Sequence, residues 1–195
     1  GQPHFMLKEI LEEPEVLRNT MRGRLSKIHG TAILGGLKDV MNRLEQVERL
    51  ILVGCGTAYY AGCVGKYLLE TWGNIPTEAE IASEFRYRDP VISKNTAVIA
   101  ISQSGETADT LAALREGTMK GALGLGIVNV VGSTIARETV AGVYTHAGPE
   151  IGVDSTKAFI SQCTTLAHVG LLLGRKRRLS QTDGIEIIQA LEYFP

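Results

Sequence analysis

Polar side chains that could bind an anion are concentrated in one short stretch, Ser102-Gln103-Ser104-Gly105-Glu106-Thr107. The stretch follows an apolar segment over residues 97–100 and precedes a segment over residues 108–119 that has the pattern of a helix. Backbone N–H groups and the helix dipole favour an anion at the first turn of a helix. Hydroxyl and carboxamide groups donate hydrogen bonds without adding a charge. The stretch therefore predicts a turn that binds a phosphate or a sugar phosphate.

Helix capping is the alternative explanation for these hydroxyl groups. A Ser or Thr at the start of a helix commonly caps its first N–H groups, and Ser104 or Thr107 could do so alone. Capping needs one side chain, whereas this turn offers Ser102, Gln103, Ser104 and Thr107. We therefore interpret the turn as a ligand-binding turn.

A second turn, Gly54-Cys55-Gly56-Thr57, joins an apolar segment over residues 50–53 to a predicted helix over residues 57–72. Its glycines allow a tight turn and the close approach of a ligand to the backbone. The spacing matches neither the dinucleotide-binding fingerprint nor the P-loop. A plain strand-to-helix connection, with Thr57 as the helix cap, explains this turn equally well.

A third turn, Gly152-Val153-Asp154-Ser155-Thr156-Lys157, precedes an apolar helix predicted to reach residue 173. Asp154 or Ser155 could cap that helix, and Lys157 could be an ordinary surface cation. Glu150 is either a solvated loop residue or a buried carboxylate that orients its neighbours. Taken alone, this segment is as consistent with helix capping as with ligand binding.

The hydrophobic pattern supplies the strands and helices that would position these turns. Short apolar runs alternate with amphipathic segments from residue 49 onward. The predicted strands lie over residues 50–53, 78–81, 98–101, 125–128 and 143–146. The predicted helices lie over residues 14–23, 33–44, 57–72, 83–87, 108–119, 133–139, 156–173 and 185–193, with a polar loop over residues 24–32. This order predicts an α/β fold with a mainly parallel sheet, helices on both faces, and ligands beyond the carboxyl ends of the strands.

Composition and charge exclude several classes of protein. The chain has 195 residues, of which 44% are hydrophobic and 21% charged, and it is long enough for one globular domain with its own core. A formal net charge of −1 gives no electrostatic reason to expect a nucleic acid or an anionic membrane as a partner. We interpret the basic run over residues 175–178 as a solvated helix end. The sequence shows neither a membrane span nor a signal peptide, so we expect a cytoplasmic protein.

The sequence predicts no metal site, no cofactor and no identifiable catalytic residue. Cys55, Cys63 and Cys163 lack the paired spacing of a zinc site and are expected to be reduced thiols. The four histidines are scattered along the chain. His168 falls on an apolar helix and is expected to be a core or interface residue.

The three turns occur in the order found in sugar isomerase (SIS) domains, which the chain resembles. Longer strings narrow the resemblance to the first SIS domain of the isomerising glutamine–fructose-6-phosphate aminotransferases. These strings are Pro3-His4-Phe5-Met6-Leu7-Lys8-Glu9-Ile10, Met21-Arg22-Gly23-Arg24, Glu84-Phe85-Arg86-Tyr87-Arg88 and Ala147-Gly148-Pro149-Glu150-Ile151-Gly152-Val153.

The resemblance implies a flavodoxin-like, three-layer α/β/α sandwich with a five-stranded parallel sheet and additional N-terminal helices. It implies an N-terminal helical segment at residues 1–40, a SIS domain at 41–180 and, at 181–195, a helix that leads to a second SIS domain. The phosphate-binding positions of the family correspond to Ser102, Gln103, Ser104 and Thr107. The sugar contacts of the family correspond to Thr57, Ser155 and the backbone at Val153.

Two residues depart from the family pattern. Ala58 stands where the family usually has a serine that donates to the phosphate, and Asp154 stands where alanine is common. Our hypothesis is that Ala58 weakens phosphate binding by one hydrogen bond, on the order of 1 kcal/mol.

The resemblance implies that the chain is the fructose-6-phosphate-binding half of the isomerase region of an enzyme that makes glucosamine 6-phosphate. Its expected partners are fructose 6-phosphate or glucosamine 6-phosphate, the glutaminase and second SIS domains of a parent chain, and a second copy in a homodimer. We expect the isolated chain to be inactive. The alternatives are a non-catalytic SIS-domain sensor of sugar phosphates and a scaffold domain that makes subunit contacts.

Overall fold

The computed structural model describes residues 4–195, so Pro3 of the N-terminal string lies outside the described residues. The chain begins with helices α1 (Phe5–Leu11) and α2 (Glu13–Met21). Helix α2 confirms the helix predicted over residues 14–23, with Pro14 in its first turn, where its missing N–H is tolerated.

The next segment differs from its prediction in two places. The predicted polar loop contains a short antiparallel hairpin formed by β1 (Leu25–Ser26) and β2 (Thr31–Ala32). The predicted helix over residues 33–44 is instead a 3₁₀ helix (Gly35–Val40) followed by α3 (Met41–Glu45). Gly35 and Gly36 disfavour an α-helix at this point. A Cβ at Gly36 would also overlap the carbonyl oxygen of Gly142.

The rest of the chain alternates between strands and helices. The strands are β3 (Arg49–Gly54), β4 (Thr77–Ile81), β5 (Thr96–Ser102), β6 (Leu123–Val128) and β7 (Ala141–Tyr144). The helices are α4 (Thr57–Gly73), α5 (Ala82–Phe85), α6 (Ala108–Met119), α7 (Thr134–Glu138), α8 (Lys157–Arg177) and α9 (Gln181–Tyr193). The five strands form one parallel sheet in the order β4-β3-β5-β6-β7. The prediction of a five-stranded parallel sheet is confirmed.

Alternating side chains of the strands build a separate apolar core on each face of the sheet. On β3, Leu50 and Leu52 pack with apolar residues of the 3₁₀ helix, α4 and α8. Their neighbours Ile51 and Val53 pack on the other face with apolar residues of α5, α6 and α7. Helices therefore cover both faces, which gives the predicted three-layer sandwich.

Helices α4 and α8 pack side by side and run in the same direction. A Cβ at Gly65 would lie 2.8 Å from Leu166, and one at Gly170 would lie 3.2 Å from Trp72. The contact later in α4, at Trp72, is also the contact later in α8, at Gly170, so the two helices are parallel. The small glycine surfaces allow this close approach.

The basic run lies inside α8 rather than beyond its end, because the helix continues to Arg177. Arg175 donates to the carbonyl of Leu179 at 2.6 Å, and Arg177 donates to the carbonyls of Glu45 (3.1 Å) and Val47. These guanidinium groups bind neighbouring loops. Arg177 is nevertheless exposed, as expected for a solvated helix end, whereas Arg175 is half-buried and departs from that expectation.

Across residues 4–195, no helix combines the length and apolar character that crossing a membrane would require.

The contact between Gly36 and Gly142 makes a specific prediction for stability. Gly36→Ala should lower the free energy of unfolding by about 1–3 kcal/mol, because the new methyl group overlaps a backbone carbonyl that must move. Gly35→Ala is the matched control, since a Cβ at Gly35 meets no atom of residues 4–195 within 4 Å. Urea unfolding of both variants tests this, and equal stabilities would contradict the proposed overlap.

His168 predicts a dependence of stability on pH. Burial, assisted by the Arg24 guanidinium, lowers its pKa to about 3 from a usual value of 6.5. Between these values the unfolded chain binds the proton that the folded chain excludes, so stability falls as pH falls. From pH 7 to pH 5 the free energy of unfolding should decrease by about 2 kcal/mol from this residue alone.

The control for this prediction is His168→Leu, which should lack that part of the pH dependence. Denaturant unfolding of both proteins at several pH values measures the difference. Parallel pH profiles would show that folding does not lower the pKa of His168.

Candidate functional site

A cavity of about 230 Å³ opens at the carboxyl ends of β3 and β5, beside the first turns of α4, α6 and α8. All seven residues predicted to bind the substrate line it, namely Thr57, Ser102, Gln103, Ser104, Thr107, Val153 and Ser155. The structure therefore brings together three turns that are up to 98 residues apart in the chain. Their role in binding remains a prediction.

Ser102 organises the turn between β5 and α6. Its side chain is buried, with 2% of the residue exposed, and its Oγ accepts a hydrogen bond from the Gly105 N–H at 3.0 Å. The same oxygen lies 2.9 Å from Thr107 Oγ1, with which it shares a hydrogen bond. Gly105 has a φ of +67°, and a Cβ there would overlap Ser133 Oγ. The turn is thus shaped by its own side chains and requires glycine at its centre.

The capping alternative for this turn is wrong. Thr107 does occupy the N-cap position of α6, but within the described residues its side chain makes no hydrogen bond to the helix N–H groups. Its hydroxyl is paired with Ser102 instead. Ser104 Oγ accepts from the N–H of Glu106, which precedes the helix, at 3.1 Å. The first turn of α6 therefore keeps its attraction for an anion.

The turn between β3 and α4 also uses glycine where the sequence suggested a hydroxyl cap. Gly56 takes the N-cap position with a φ of +57°, and Thr57 is the first residue of the helix. A Cβ at Gly54 would lie 2.9 Å from the backbone of Ala58, so the turn is too tight for a side chain there. Thr57 is solvent-exposed at the mouth of the cavity, and Ala58 lies in its lining.

Glu150 caps α8 from outside the helix. Its Oε1 accepts hydrogen bonds from the N–H groups of Thr156 (2.9 Å) and Ala158 (3.1 Å), and its Oε2 accepts from Ser155 Oγ at 3.2 Å. The expectation that Asp154 or Ser155 caps the helix was wrong. Of the two roles considered for Glu150, the structure shows the orienting carboxylate, since it fixes the hydroxyl of Ser155.

A second carboxylate, which the sequence analysis did not find, holds the same loop from α1. Glu9 is buried, with 3% exposed, and accepts from the N–H groups of Ile151 (2.6 Å) and Gly152 (3.2 Å). Lys157, 5% exposed, donates to Glu12 at 2.8 Å and thereby lowers the pKa of that carboxyl. Lys157 is therefore not an ordinary surface cation, and the loop is anchored to the N-terminal helices.

The polar lining of the cavity is mostly uncharged. Among the described residues that line it, none is a lysine or arginine, and Glu150 is the one carboxylate. Glu106 points towards α7, where it accepts from the Thr134 hydroxyl (2.6 Å) and N–H (2.9 Å), and these bonds lower its pKa. The described residues contain no cluster of three or more His, Cys, Asp or Glu side chains that could hold a metal ion. The arrangement suits an anion bound by neutral donors.

Comparison with protein families identifies the central part of the chain as a SIS domain. The sequence model of the SIS domain family matches residues 43–170, which is well over half of the chain.

Individual relatives point in the same direction. The chain is 55% identical over 183 residues to the isomerising glutamine–fructose-6-phosphate aminotransferase of Chlorobaculum tepidum, covering 94% of this chain and 30% of the relative. It is 52% identical to the enzyme of that name from Thermus thermophilus, covering all of this chain and 32% of the relative. The chain thus spans about a third of the length of these relatives.

A solved structure shares the fold over nearly the whole chain. The C-terminal domain of glucosamine-fructose-6-phosphate aminotransferase from Francisella tularensis superimposes with a TM-score of 0.93 and is 38% identical. The match covers 99% of this chain and 54% of that chain.

The capping role of Glu150 predicts a local loss of stability. Glu150→Ala should lower the free energy of unfolding by about 1–2 kcal/mol, because two N–H groups at the start of α8 lose their acceptor. Asp154→Ala is the control, since Asp154 is exposed four residues away and should change stability by less than about 0.5 kcal/mol. Chemical denaturation measures both. Similar losses in the two variants would contradict the assignment of Glu150 as the cap.

Proposed function

The chain belongs to the SIS domain family, and from that membership we propose that its cavity binds fructose 6-phosphate within an isomerising glutamine–fructose-6-phosphate aminotransferase. The main support is the turn over residues 102–107, whose hydroxyl groups and helix N-terminus converge on one small cavity. Relatives at up to 55% identity that carry this enzyme name support the same assignment over a sensor or a scaffold domain.

We propose that the two ends of the cavity divide the ligand between them. The phosphate lies at Ser102, Gln103, Ser104 and Thr107, where it also meets the first turn of α6. The sugar lies at Thr57, Ser155 and the backbone of Val153. The phosphate is held by neutral donors, so the product, glucosamine 6-phosphate, can leave without the rupture of a strong ion pair.

In this proposal the chain contributes binding rather than proton transfer. In the parent reaction, ammonia from glutamine condenses with the C2 carbonyl of fructose 6-phosphate and releases its oxygen as water, and a proton shift from C1 to C2 then gives the amino aldose. Holding the remote phosphate orients C1 and C2 and reduces the entropy that the reaction must overcome. The proton-transfer groups would come from a second SIS domain, and the ammonia from a glutaminase domain.

The setting of the parent enzyme is part of the same proposal. We propose a cytoplasmic homodimer in which residues 41–180 form the SIS domain, residues 1–40 its N-terminal helical segment, and residues 181–195 the connection to the second SIS domain. The three free cysteines are consistent with a reducing compartment.

Calorimetry tests the ligand and the role of position 58 together. The chain should bind fructose 6-phosphate and glucosamine 6-phosphate, and inorganic phosphate more weakly. Ala58→Ser should tighten binding of all three about fivefold, because a hydroxyl in the cavity lining adds one hydrogen bond to the phosphate. Ala112→Ser, in the second turn of α6 and outside the cavity lining, is the matched control and should leave affinity unchanged.

The possible results test the proposed ligand and the role of position 58 separately. Absence of binding by any of the three compounds would overturn the proposed function. Binding that Ala58→Ser leaves unchanged would overturn only the role assigned to position 58.

A further inference from the structure

We infer that Gln162 of α8 is a further substrate-contact residue, which accepts a hydrogen bond from a sugar hydroxyl; this inference rests on the proposed function. Gln162 lines the same cavity as the seven predicted residues but was not among them. Its side chain is buried, with 2% of the residue exposed.

The carbonyl oxygen of its carboxamide is unsatisfied. Gln162 Oε1 is buried and has no hydrogen-bond partner among residues 4–195. Leaving a buried polar atom without a partner destabilises a protein, and native structures contain few such atoms. Because this residue lines a cavity, a bound ligand can supply the missing partner.

The packing of α4 and α8 places Gln162 near the predicted sugar contacts. The two helices run in the same direction, with Gly65 against Leu166. Gln162 lies one turn before Leu166 on α8, towards the end of the helix that borders the cavity, and it lines the cavity together with Thr57 and Ala58 of the first turn of α4. Thr57 begins α4, and Ser155 lies just before the start of α8. Gln162 is therefore a buried part of the lining that also carries the two predicted sugar-contact hydroxyls.

The chemistry of the unsatisfied atom selects the part of the ligand that it meets. A carbonyl oxygen only accepts hydrogen bonds. The oxygens of an ionised phosphate are themselves acceptors, whereas a sugar hydroxyl can donate. The structure therefore assigns Gln162 Oε1 to the polyhydroxyl part of the ligand and not to the phosphate.

The alternative is that Gln162 serves only to fill space between α4 and α8. The two roles predict opposite combinations of stability and affinity. If the carboxamide oxygen is hydrogen-bonded only when a ligand is bound, replacing Gln162 with an apolar side chain of similar size should stabilise the free protein and weaken sugar binding. If the residue only fills space, affinity should not depend on the amide.

The experiment compares Gln162→Leu with Thr165→Val in the 195-residue chain. Thr165 is the matched control, because it lies on the same helix, is fully buried and also has an unsatisfied oxygen, but does not line the cavity. Thermal unfolding gives Tm, and calorimetry gives Kd for fructose 6-phosphate and for inorganic phosphate. Both variants should raise Tm by about 2–4 °C. Gln162→Leu should raise Kd for fructose 6-phosphate about tenfold and leave Kd for phosphate within about twofold, whereas Thr165→Val should change neither.

Each other result overturns the inference. Unchanged affinity of Gln162→Leu for fructose 6-phosphate would show a space-filling residue, with the proposed function intact. Equal weakening for fructose 6-phosphate and phosphate would remove the assignment to the sugar. Failure of both Gln162→Leu and Gln162→Met to fold would contradict the claim that the amide is unsatisfied in the free protein. A wild-type chain that binds neither sugar phosphate would overturn both this inference and the proposed function.

Discussion

Strands β3 and β5 are parallel neighbours, but the helices that follow them pack on opposite faces of the sheet. The chain must therefore leave the two strands in diverging directions, and the divergence opens a crevice between the two turns. In parallel sheets such a reversal of strand order is where ligands bind. The cavity, the N-termini of α4 and α6 beside it and the glycines in both turns all follow from this one arrangement.

Charged side chains around the cavity bind the backbone of the loop before α8, and most of the polar groups that line the cavity are neutral. Glu9 and Glu150 accept hydrogen bonds from backbone N–H groups of the loop before α8, and the ion pair between Lys157 and Glu12 ties the start of α8 to the N-terminal helices. Rigid loops lose less entropy on binding than mobile ones. The carboxylates thus contribute to the site through the loop that they hold in place.

Much of the fold was predictable because its signals are local. Apolar runs such as residues 50–53 and 98–101 mark buried strands, and the hydroxyl groups over residues 102–107 mark the turn at the end of β5. Local reasoning failed where the partner is distant or the element is short. Glu9 contacts a loop more than 140 residues away, and no spacing could indicate that contact. The two-residue strands β1 and β2 are too short for a periodic pattern, and Gly36 takes a 3₁₀ conformation that tertiary packing against Gly142 favours.

The two ends of the cavity differ in their tolerance of change. At the β5–α6 turn, Gly105 abuts Ser133 and the Ser102 oxygen has two partners, so nearly any replacement disturbs several contacts. The opposite rim carries Val153, whose side chain is fully exposed, and it is held through backbone atoms of its neighbours. Mutations would therefore accumulate first along this outer margin. Substitutions that alter the proposed sugar contacts on this rim are thus compatible with an unchanged β5–α6 turn.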